Sequence, residues 1–244
     1  MNIFHEGLYR PLFNLLIWLY DVIPGADIGF AIIALTALVK LALWPLTHAS
    51  LKSQKMLQDL QPKLDALKAE HKDDKEALAK AMMDLYKNEK VNPLSSCLPV
   101  LVQIPILIAL YRVLSDGLHA ESLSALYSFV HNPGSINAMF LGVLDLEKKS
   151  IALAVLSGLF QFWQTRMLIA RRPPKAVRGA EGAKDEDMLA GMNQSMMYFM
   201  PVMTAVIGAS LPGGLTLYWV AINVISIAQQ YVVFGTGKNK TTSS

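Results

Sequence analysis

The sequence predicts an all-α membrane protein with five transmembrane helices, an N-terminal amphipathic surface helix and a cytoplasmic helical hairpin. Of the 244 residues, 53% are hydrophobic and only 17% are charged, whereas soluble domains usually contain about 25% charged residues. The mean hydropathy is +0.35, and the hydrophobic residues are concentrated in nearly uncharged segments. This distribution favours membrane spans over an enlarged soluble core. The single cysteine excludes an internal disulfide framework and a multi-cysteine metal site.

Five segments have about the 20 apolar residues that a helix needs to cross a bilayer. A Leu-Pro-Gly-Gly sequence separates the last two, and so short a breaker predicts a tight hairpin at the membrane surface. The predicted spans are residues 28–46, 94–114, 151–169, 195–211 and 213–234.

The basic residues outside the spans indicate the orientation. With five spans, and counting Arg166 at the cytoplasmic edge of the third span, 17 lysines and arginines fall on one side and three on the other. Because the basic side is normally cytoplasmic, we expect the N-terminus outside and the C-terminus inside. The segments on the cytoplasmic side are residues 47–93, 170–194 and 235–244, and those on the outer side are residues 1–27 and 115–150.

The outer N-terminal segment, residues 1–27, lacks the basic start and the small-residue cleavage site of a signal peptide. Its apolar pattern predicts an amphipathic helix over residues 11–23 that lies on the outer leaflet. A sixth, short span is the alternative. The apolar residues on one face of this helix are Leu12, Leu15, Leu16, Leu19 and Val22.

The cytoplasmic segment 47–93 is the largest polar part of the chain, and leucines at helical spacing predict two amphipathic helices broken near residues 71–74. We interpret it as a mobile helical hairpin, either a solvated spacer or a docking arm for nascent chains, the ribosome or lipid headgroups. Residues 115–150 predict an outer loop, residues 170–194 a flexible loop and residues 235–244 a short tail.

Polar residues inside a membrane are costly, so their positions indicate function. Lys40 lies six residues from the cytoplasmic end of the first span, and Thr36 lies one turn further out on the same face. The predicted spans contain no Asp or Glu to pair with this lysine, so we expect water in a cavity around its ammonium. A lysine that snorkels to the headgroups is the alternative.

Polar residues at helical spacing in three further spans predict stripes that converge on a hydrophilic interior. Ordinary hydrogen bonding between helices is the alternative for any one stripe. The stripes are Ser96 and Gln103 in the second span, Ser157, Gln161, Gln164 and Thr165 in the third, and Thr216, Trp219, Asn223, Ser226 and Gln230 in the fifth.

The fourth span carries methionines at near-helical spacing, including Met196, Met200 and Met203. Methionine is flexible and polarizable, so this stripe predicts an adaptable hydrophobic slide for varied partners, with gap-filling in a helical bundle as the alternative. The sequence contains no HExxH, GxSxG or P-loop motif and no intramembrane carboxylate pair. We therefore expect no enzyme, cofactor or metal site, and no specific nucleic-acid binding.

Several motifs together resemble the YidC-type family of membrane protein insertases, over about residues 7–234. The combination is more specific than any single motif. The matching stretches are LTALVK at 35–40, WPLT at 44–47, KVNPL at 90–94, CLP at 97–99, QIPI at 103–106, PGGL at 212–215, and Asn223 with Gln229 and Gln230.

The resemblance implies a compact bacterial form with a five-helix core around a hydrophilic groove, open to cytoplasm and lipid and closed on the outer side. Lys40 stands where the family normally has an arginine, so the groove keeps its positive charge without the planar guanidinium. The resemblance also implies groove contacts from Thr36, Gln103, Gln161 and Trp219, and the polar stripe of the fifth span adds Asn223.

The expected function is that of a membrane protein insertase and chaperone in the bacterial inner membrane. It would receive hydrophobic nascent segments and release them into the bilayer without nucleotide hydrolysis of its own. Nascent membrane proteins and lipid are the expected partners, with the ribosome and the general secretion translocon as further candidates. A small-molecule or ion transporter with a midplane polar site is the alternative function.

Overall fold

A computed structural model of the chain describes residues 3–71, 74–92, 98–115, 120–169 and 197–235. The predicted loop 170–194, nearly all of the predicted tail, Met196, Ser96 and Cys97 lie outside these ranges. The described part is predominantly helical. Its α-helices are α1 (Arg10–Val22), α2 (Ile28–Ala42), α3 (Trp44–Asp59), α4 (Gln61–Glu70), α5 (Lys75–Asn88), α6 (Leu98–Ser115), α7 (Ile151–Ile169), α8 (Met197–Gly208) and α9 (Gly213–Gly235).

Short elements complete the segments before α1 and between α6 and α7, and we keep the name outer loop for residues 120–150 after their predicted location. A π-helical turn, His5–Tyr9, leads directly into α1, and a 3-10 helix covers Ala120–Ala125. Strands β1 (Met139–Phe140) and β2 (Leu144–Asp145) pair antiparallel as a small hairpin.

One described helix, over Gly213–Phe234, is long and apolar enough to cross a membrane on its own. Helices α2 and α3 pass the same test together but meet at an angle of 67°. Two shorter apolar helices cover Leu101–Ser115 and Met197–Gly208. The crossing of a bilayer by five helices therefore remains a prediction.

The predicted first span, residues 28–46, is not one straight helix. Helix α2 ends at Ala42, and α3 begins at Trp44 with Pro45 in its first turn. Proline has no backbone N–H to donate to the carbonyl four residues earlier, and its ring crowds that carbonyl, so the helix is interrupted before Pro45 and the chain changes direction at Leu43. Pro62 stands in the first turn of α4 and has the same effect there, which separates α4 from α3 at Leu60.

Helix α9 is the centre of the packing, with its most extensive contacts to α7 and α2. Side chains from α1, α2, α6, the outer loop and α9 form one core. Helices α7 and α8 approach closely at Gly158, where an added Cβ would lie 3.0 Å from the Pro201 carbonyl oxygen. Small residues allow such close packing between apolar helices. Fully buried members of the core include Phe13, Leu16, Ile17, Ile28, Leu146 and Leu215.

Helix α1 packs its leucines inward. Leu12, Leu16 and Leu19 are buried in the core. Val22, which the sequence pattern put on the same face, is exposed, and so is Trp18. The location of this helix on the outer leaflet remains a prediction.

Several polar side chains of α1 bind the outer loop, among them Asn14 and Tyr20. The Asn14 side-chain amide donates to the Ala125 carbonyl at 3.3 Å, and its oxygen accepts from Tyr127 N at 2.6 Å. The Tyr20 hydroxyl accepts from Asn137 N at 2.9 Å. The 3-10 helix and the segment after it are thereby held against α1.

Backbone hydrogen bonds fasten the same loop to the turn between α8 and α9. Gly213 N donates to the Lys148 carbonyl at 2.8 Å, and Gly214 N donates to the Leu146 carbonyl at 2.9 Å. Lys148 Nζ also donates to Asp145 at 2.8 Å and lowers the pKa of that carboxyl, so the pair stays charged at neutral pH. The PGGL motif is thus the point at which α9 meets the outer loop.

Candidate functional site

A cavity of about 370 Å³ lies among α2, α6, α7, α8 and α9. One wall reaches the protein surface at Ile104, whose side chain is 48% exposed. Such a volume is typical of small-ligand sites. The lining residues are Lys40, Gln103, Ile104, Leu107, Gln161, Gln164, Thr204, Tyr218, Trp219, Ile222, Asn223 and Ser226.

Lys40 supplies the cation of this cavity. It lies in the last turn of α2, three residues before the bend at Leu43, and is 9% exposed. None of the lining residues is acidic, and none of the described carboxylates lies within 4.0 Å of Lys40 Nζ. A buried and unpaired ammonium is strongly unfavourable in an apolar site, so the polar cavity is what makes this position tolerable.

Helix α6 contributes Gln103, whose side-chain amide donates a hydrogen bond to the Tyr218 hydroxyl of α9. Pro105 stands inside the same helix. Because proline has no N–H, it leaves the carbonyl of residue 101 without its helical partner. The QIPI motif thus places a bonded glutamine and an open carbonyl in adjacent turns.

Helix α7 brings two members of its predicted stripe to the cavity, Gln161 and Gln164. The other two bond to the helix backbone: the Ser157 hydroxyl donates to Ala154 O, and the Thr165 hydroxyl donates to Gln161 O, both at 2.8 Å. The Gln164 side-chain oxygen is buried and accepts no hydrogen bond from any described residue. Two of the four residues of this stripe, Gln161 and Gln164, therefore line the cavity.

The predicted stripe of α9 also divides. Its middle members, Trp219, Asn223 and Ser226, line the cavity. Thr216, at the outer end, donates to the Gly208 carbonyl at 3.0 Å and joins α9 to α8. Gln230, at the other end, is 1% exposed and away from the lining. Hydrogen bonding between helices, the alternative reading of a stripe, applies to Thr216.

Thr36 differs from the other residues proposed for the groove. Its hydroxyl donates to the Ile32 carbonyl at 2.6 Å, and the residue is 1% exposed and absent from the lining. A hydroxyl bonded to the carbonyl four residues earlier is a common use of threonine inside a helix. Lys40, Gln103, Gln161, Trp219 and Asn223 all line the cavity.

Helix α8 carries the described methionines of the predicted slide. Met200 is 44% exposed and Met203 is partly buried, while Met196 lies outside the described residues. The exposed side of α8 also includes Val202 and Val206. Sequence reasoning missed Thr204 and Tyr218, which also line the cavity, because neither belongs to a polar stripe.

A buried hydrogen bond holds the bend beside Lys40. The Gln229 side-chain amide of α9 donates to the Thr47 hydroxyl of α3 at 2.8 Å, and both residues are buried. The Thr47 hydroxyl lies 3.0 Å from the Leu43 carbonyl, to which it donates. We call Thr47 and Gln229 the clasp. It ties the start of α3 to α9 and so fixes the end of α2 that carries Lys40.

We expect Thr47→Val to destabilise the protein by about 1–3 kcal/mol, because it leaves the Gln229 amide buried without an acceptor. Denaturant unfolding of Thr47→Val, Gln229→Leu and the double variant should give a coupling energy of about 1 kcal/mol. Thr165→Val is the matched control, since that hydroxyl bonds only within its own helix. Additive effects of Thr47→Val and Gln229→Leu would contradict the clasp.

Comparison with known proteins identifies the family. A family model described as "60Kd inner membrane protein" matches residues 18–240. Relatives named "Membrane protein insertase YidC" from Francisella tularensis subsp. novicida (strain U112) and subsp. holarctica (strain LVS) are 38% identical over 229 residues. Those residues make up 93% of this chain and 36% of each relative. The chain therefore spans about a third of the length of these curated relatives.

The fold has a counterpart among solved structures. "Active YidC insertase crystal structure with the first transmembrane domain resolved" aligns with a TM-score of 0.61 over 93% of this chain and 46% of that chain. At 24% identity this likeness shows the fold alone. Since the family model matches most of its length, the chain belongs to the 60Kd inner membrane protein family, the YidC-type family that its motifs resemble.

Proposed function

We propose that this chain is a membrane protein insertase that receives hydrophobic nascent segments in the cavity and releases them into the bilayer. The observation that carries the proposal is the buried Lys40 ammonium, unpaired among the described residues, in a cavity lined by glutamines and by apolar side chains. A polar cavity lowers the cost of bringing a substrate's polar tail into the membrane. Burial of the substrate's apolar surface in lipid then drives insertion without nucleotide hydrolysis.

In the proposed arrangement α2, α6, α7, α8 and α9 span the bacterial inner membrane, with the N-terminus outside and the C-terminus in the cytoplasm. The cavity serves as the groove for the substrate. The exposed side of α8, with Met200 and Val202, is the surface along which the segment slides into lipid. Helices α4 and α5 form the cytoplasmic hairpin, a receiving arm that could also contact the ribosome or the translocon.

Site-specific photocrosslinking to a stalled nascent membrane protein tests this arrangement. A photoreactive residue at Trp219 or Gln161 should form an adduct with the nascent chain, because both line the cavity. Thr36 should give little, because it is buried away from the lining. Val143, which is 85% exposed on the outer loop, is a solvent-accessible control.

The absence of adducts from both Trp219 and Gln161 would contradict the groove. Flux of a small solute through reconstituted protein without any nascent-chain adduct would instead favour the transporter. A strong adduct from Val143 alone would place the substrate on the outer surface and would also count against the proposal.

A further inference from the structure

We infer that the cavity binds a backbone peptide group of an extended substrate segment, one that has no hydrogen-bond partner within the segment itself. Lys40 donates to the carbonyl of this peptide group, and Gln164 accepts from its N–H. This inference rests on the proposed function and names the chemistry that the site recognises. It makes the polypeptide backbone a ligand in addition to an acidic side chain of the substrate.

The hydrogen-bond inventory of the lining separates two groups of side chains. Several lining residues are committed inside the protein: Gln103 bonds to Tyr218, the Asn223 amide donates to the Ser157 carbonyl at 3.3 Å, and the Ser226 hydroxyl donates to the Ile222 carbonyl at 2.6 Å. The side chains of Lys40, Gln161, Gln164 and Thr204 make no hydrogen bond to any described residue. The cavity thus offers uncommitted donors and acceptors together.

The uncommitted acceptor decides which ligand fits. An ammonium has donors only, whereas an amide side chain has both an acceptor oxygen and two donors. A substrate carboxylate could accept from Lys40, but an ionised carboxylate cannot donate to the buried Gln164 oxygen. A peptide group carries one N–H and one C=O, so it offers an acceptor for Lys40 and a donor for Gln164.

The apolar residues of the lining can contact the hydrophobic side chains on either side of the bound peptide group. Ile104, Leu107 and Ile222 contribute apolar surface to the same cavity. Recognition of the backbone does not depend on the side-chain sequence. The site would therefore accept many different hydrophobic segments.

Backbone recognition also provides a means of release. An extended segment has free N–H and C=O groups, and each costs several kcal/mol if it enters hydrocarbon unpaired. Once the segment becomes helical, its peptide groups pair internally and no longer need Lys40 or Gln164. Helix formation thus removes the ligand from the site and favours departure into lipid.

The test uses the full chain in nanodiscs and synthetic hydrophobic peptides with a neutral outer tail. In a series of peptides, one backbone amide at a time is replaced by an ester, which removes the N–H. Affinity is measured for the original protein and for Gln164→Met, which keeps the side-chain size but lacks the acceptor. Thr165→Val, on the same helix but outside the lining, is the control variant. Thermal unfolding checks that every variant is folded.

Loss of one hydrogen bond should weaken binding about fivefold to tenfold. We expect this loss for the all-amide peptide with Gln164→Met, and for an ester at one position of the peptide with the original protein. The same ester should cause no further loss with Gln164→Met, and Thr165→Val should behave as the original protein.

Equal affinity of the original protein and Gln164→Met for the all-amide peptide would overturn the inference. So would ester effects of the same size in both proteins. The proposed function would survive either result if an acidic-tailed substrate still required Lys40 for insertion. Insertion of every substrate at the same rate with and without the protein would overturn both.

Discussion

Lys40→Glu should reduce the insertion of a single-span substrate with an acidic outer tail by about a hundredfold, and Lys40→Gln by about tenfold. At 4 Å and an effective dielectric constant of 20, two unit charges interact by about 4 kcal/mol. We expect part of this energy to be lost in the neutral variant and the sign to reverse in the acidic one. Among the described residues that line the cavity, Lys40 is the only cation. Protease protection in reconstituted vesicles measures the inserted fraction over time.

Two controls separate charge from structure in that experiment. Lys40→Arg keeps the charge and should insert the acidic-tailed substrate at close to the original rate. A substrate with a neutral outer tail should respond much less to Lys40→Gln. If all four proteins insert both substrates equally, the electrostatic role of Lys40 is wrong.

Gly213→Ala should destabilise the protein by about 1–3 kcal/mol, a large effect for one methyl group. The added Cβ would lie 2.9 Å from the Lys148 carbonyl oxygen and 3.2 Å from Leu146 Cα. Both atoms belong to the backbone of the outer loop, so neither can rotate away. Relief of the clash would lengthen the hydrogen bond from Gly213 N to Lys148 O. Denaturant unfolding in detergent micelles measures the change.

Two other glycines of the chain serve as controls for this experiment. A Cβ on Gly214 would meet Ile32 Cδ1 at 3.3 Å, the end of a flexible side chain, so Gly214→Ala should cost less. A Cβ on Gly7 would meet nothing within 4 Å, so Gly7→Ala should be close to neutral. A Gly213→Ala variant as stable as Gly7→Ala would show that the loop does not constrain this position.

The polar residues of the site were predictable from the sequence because intramembrane polar groups are rare. This reasoning identified Lys40 and the polar stripes that contain Gln103, Gln161, Trp219 and Asn223, and the family resemblance then assigned Gln103, Gln161 and Trp219 to the groove. The structure places all five residues around one cavity. The helical period identifies a shared face. It does not distinguish a side chain directed into a cavity from one directed at its own backbone.

This limit explains why Thr36 was expected in the groove although it does not line the cavity. Its spacing from Lys40 put it on the same face, yet its hydroxyl bonds to the Ile32 carbonyl and takes no part in the lining. Thr204 shows the reverse error, because a single threonine in an apolar helix has no period to identify it. Its position depends on the packing of α8 against α7, which no local pattern encodes.

Helix direction was equally difficult to predict. The apolar residues 28–46 are long enough for one span, so the sequence pattern predicted a single helix there. The structure shows instead that the helix bends at Leu43, just before Pro45. The leucines of α1 matched a surface helix by period. Several of them are buried in the core, because burial against a protein and burial in lipid select the same side chains.

The clasp and the hydrogen bonds between the outer loop and the turn before α9 should respond differently to evolutionary change. The clasp needs a hydroxyl at position 47 and an amide at 229, so substitution at either breaks it. The outer loop is held to the turn before α9 by main-chain carbonyls of Leu146 and Lys148, which every amino acid possesses. These two hydrogen bonds therefore do not depend on the side chains at positions 146 and 148, but inserting or deleting one residue would move the carbonyls out of register. For these two contacts, selection should act on the length of the loop more than on its composition.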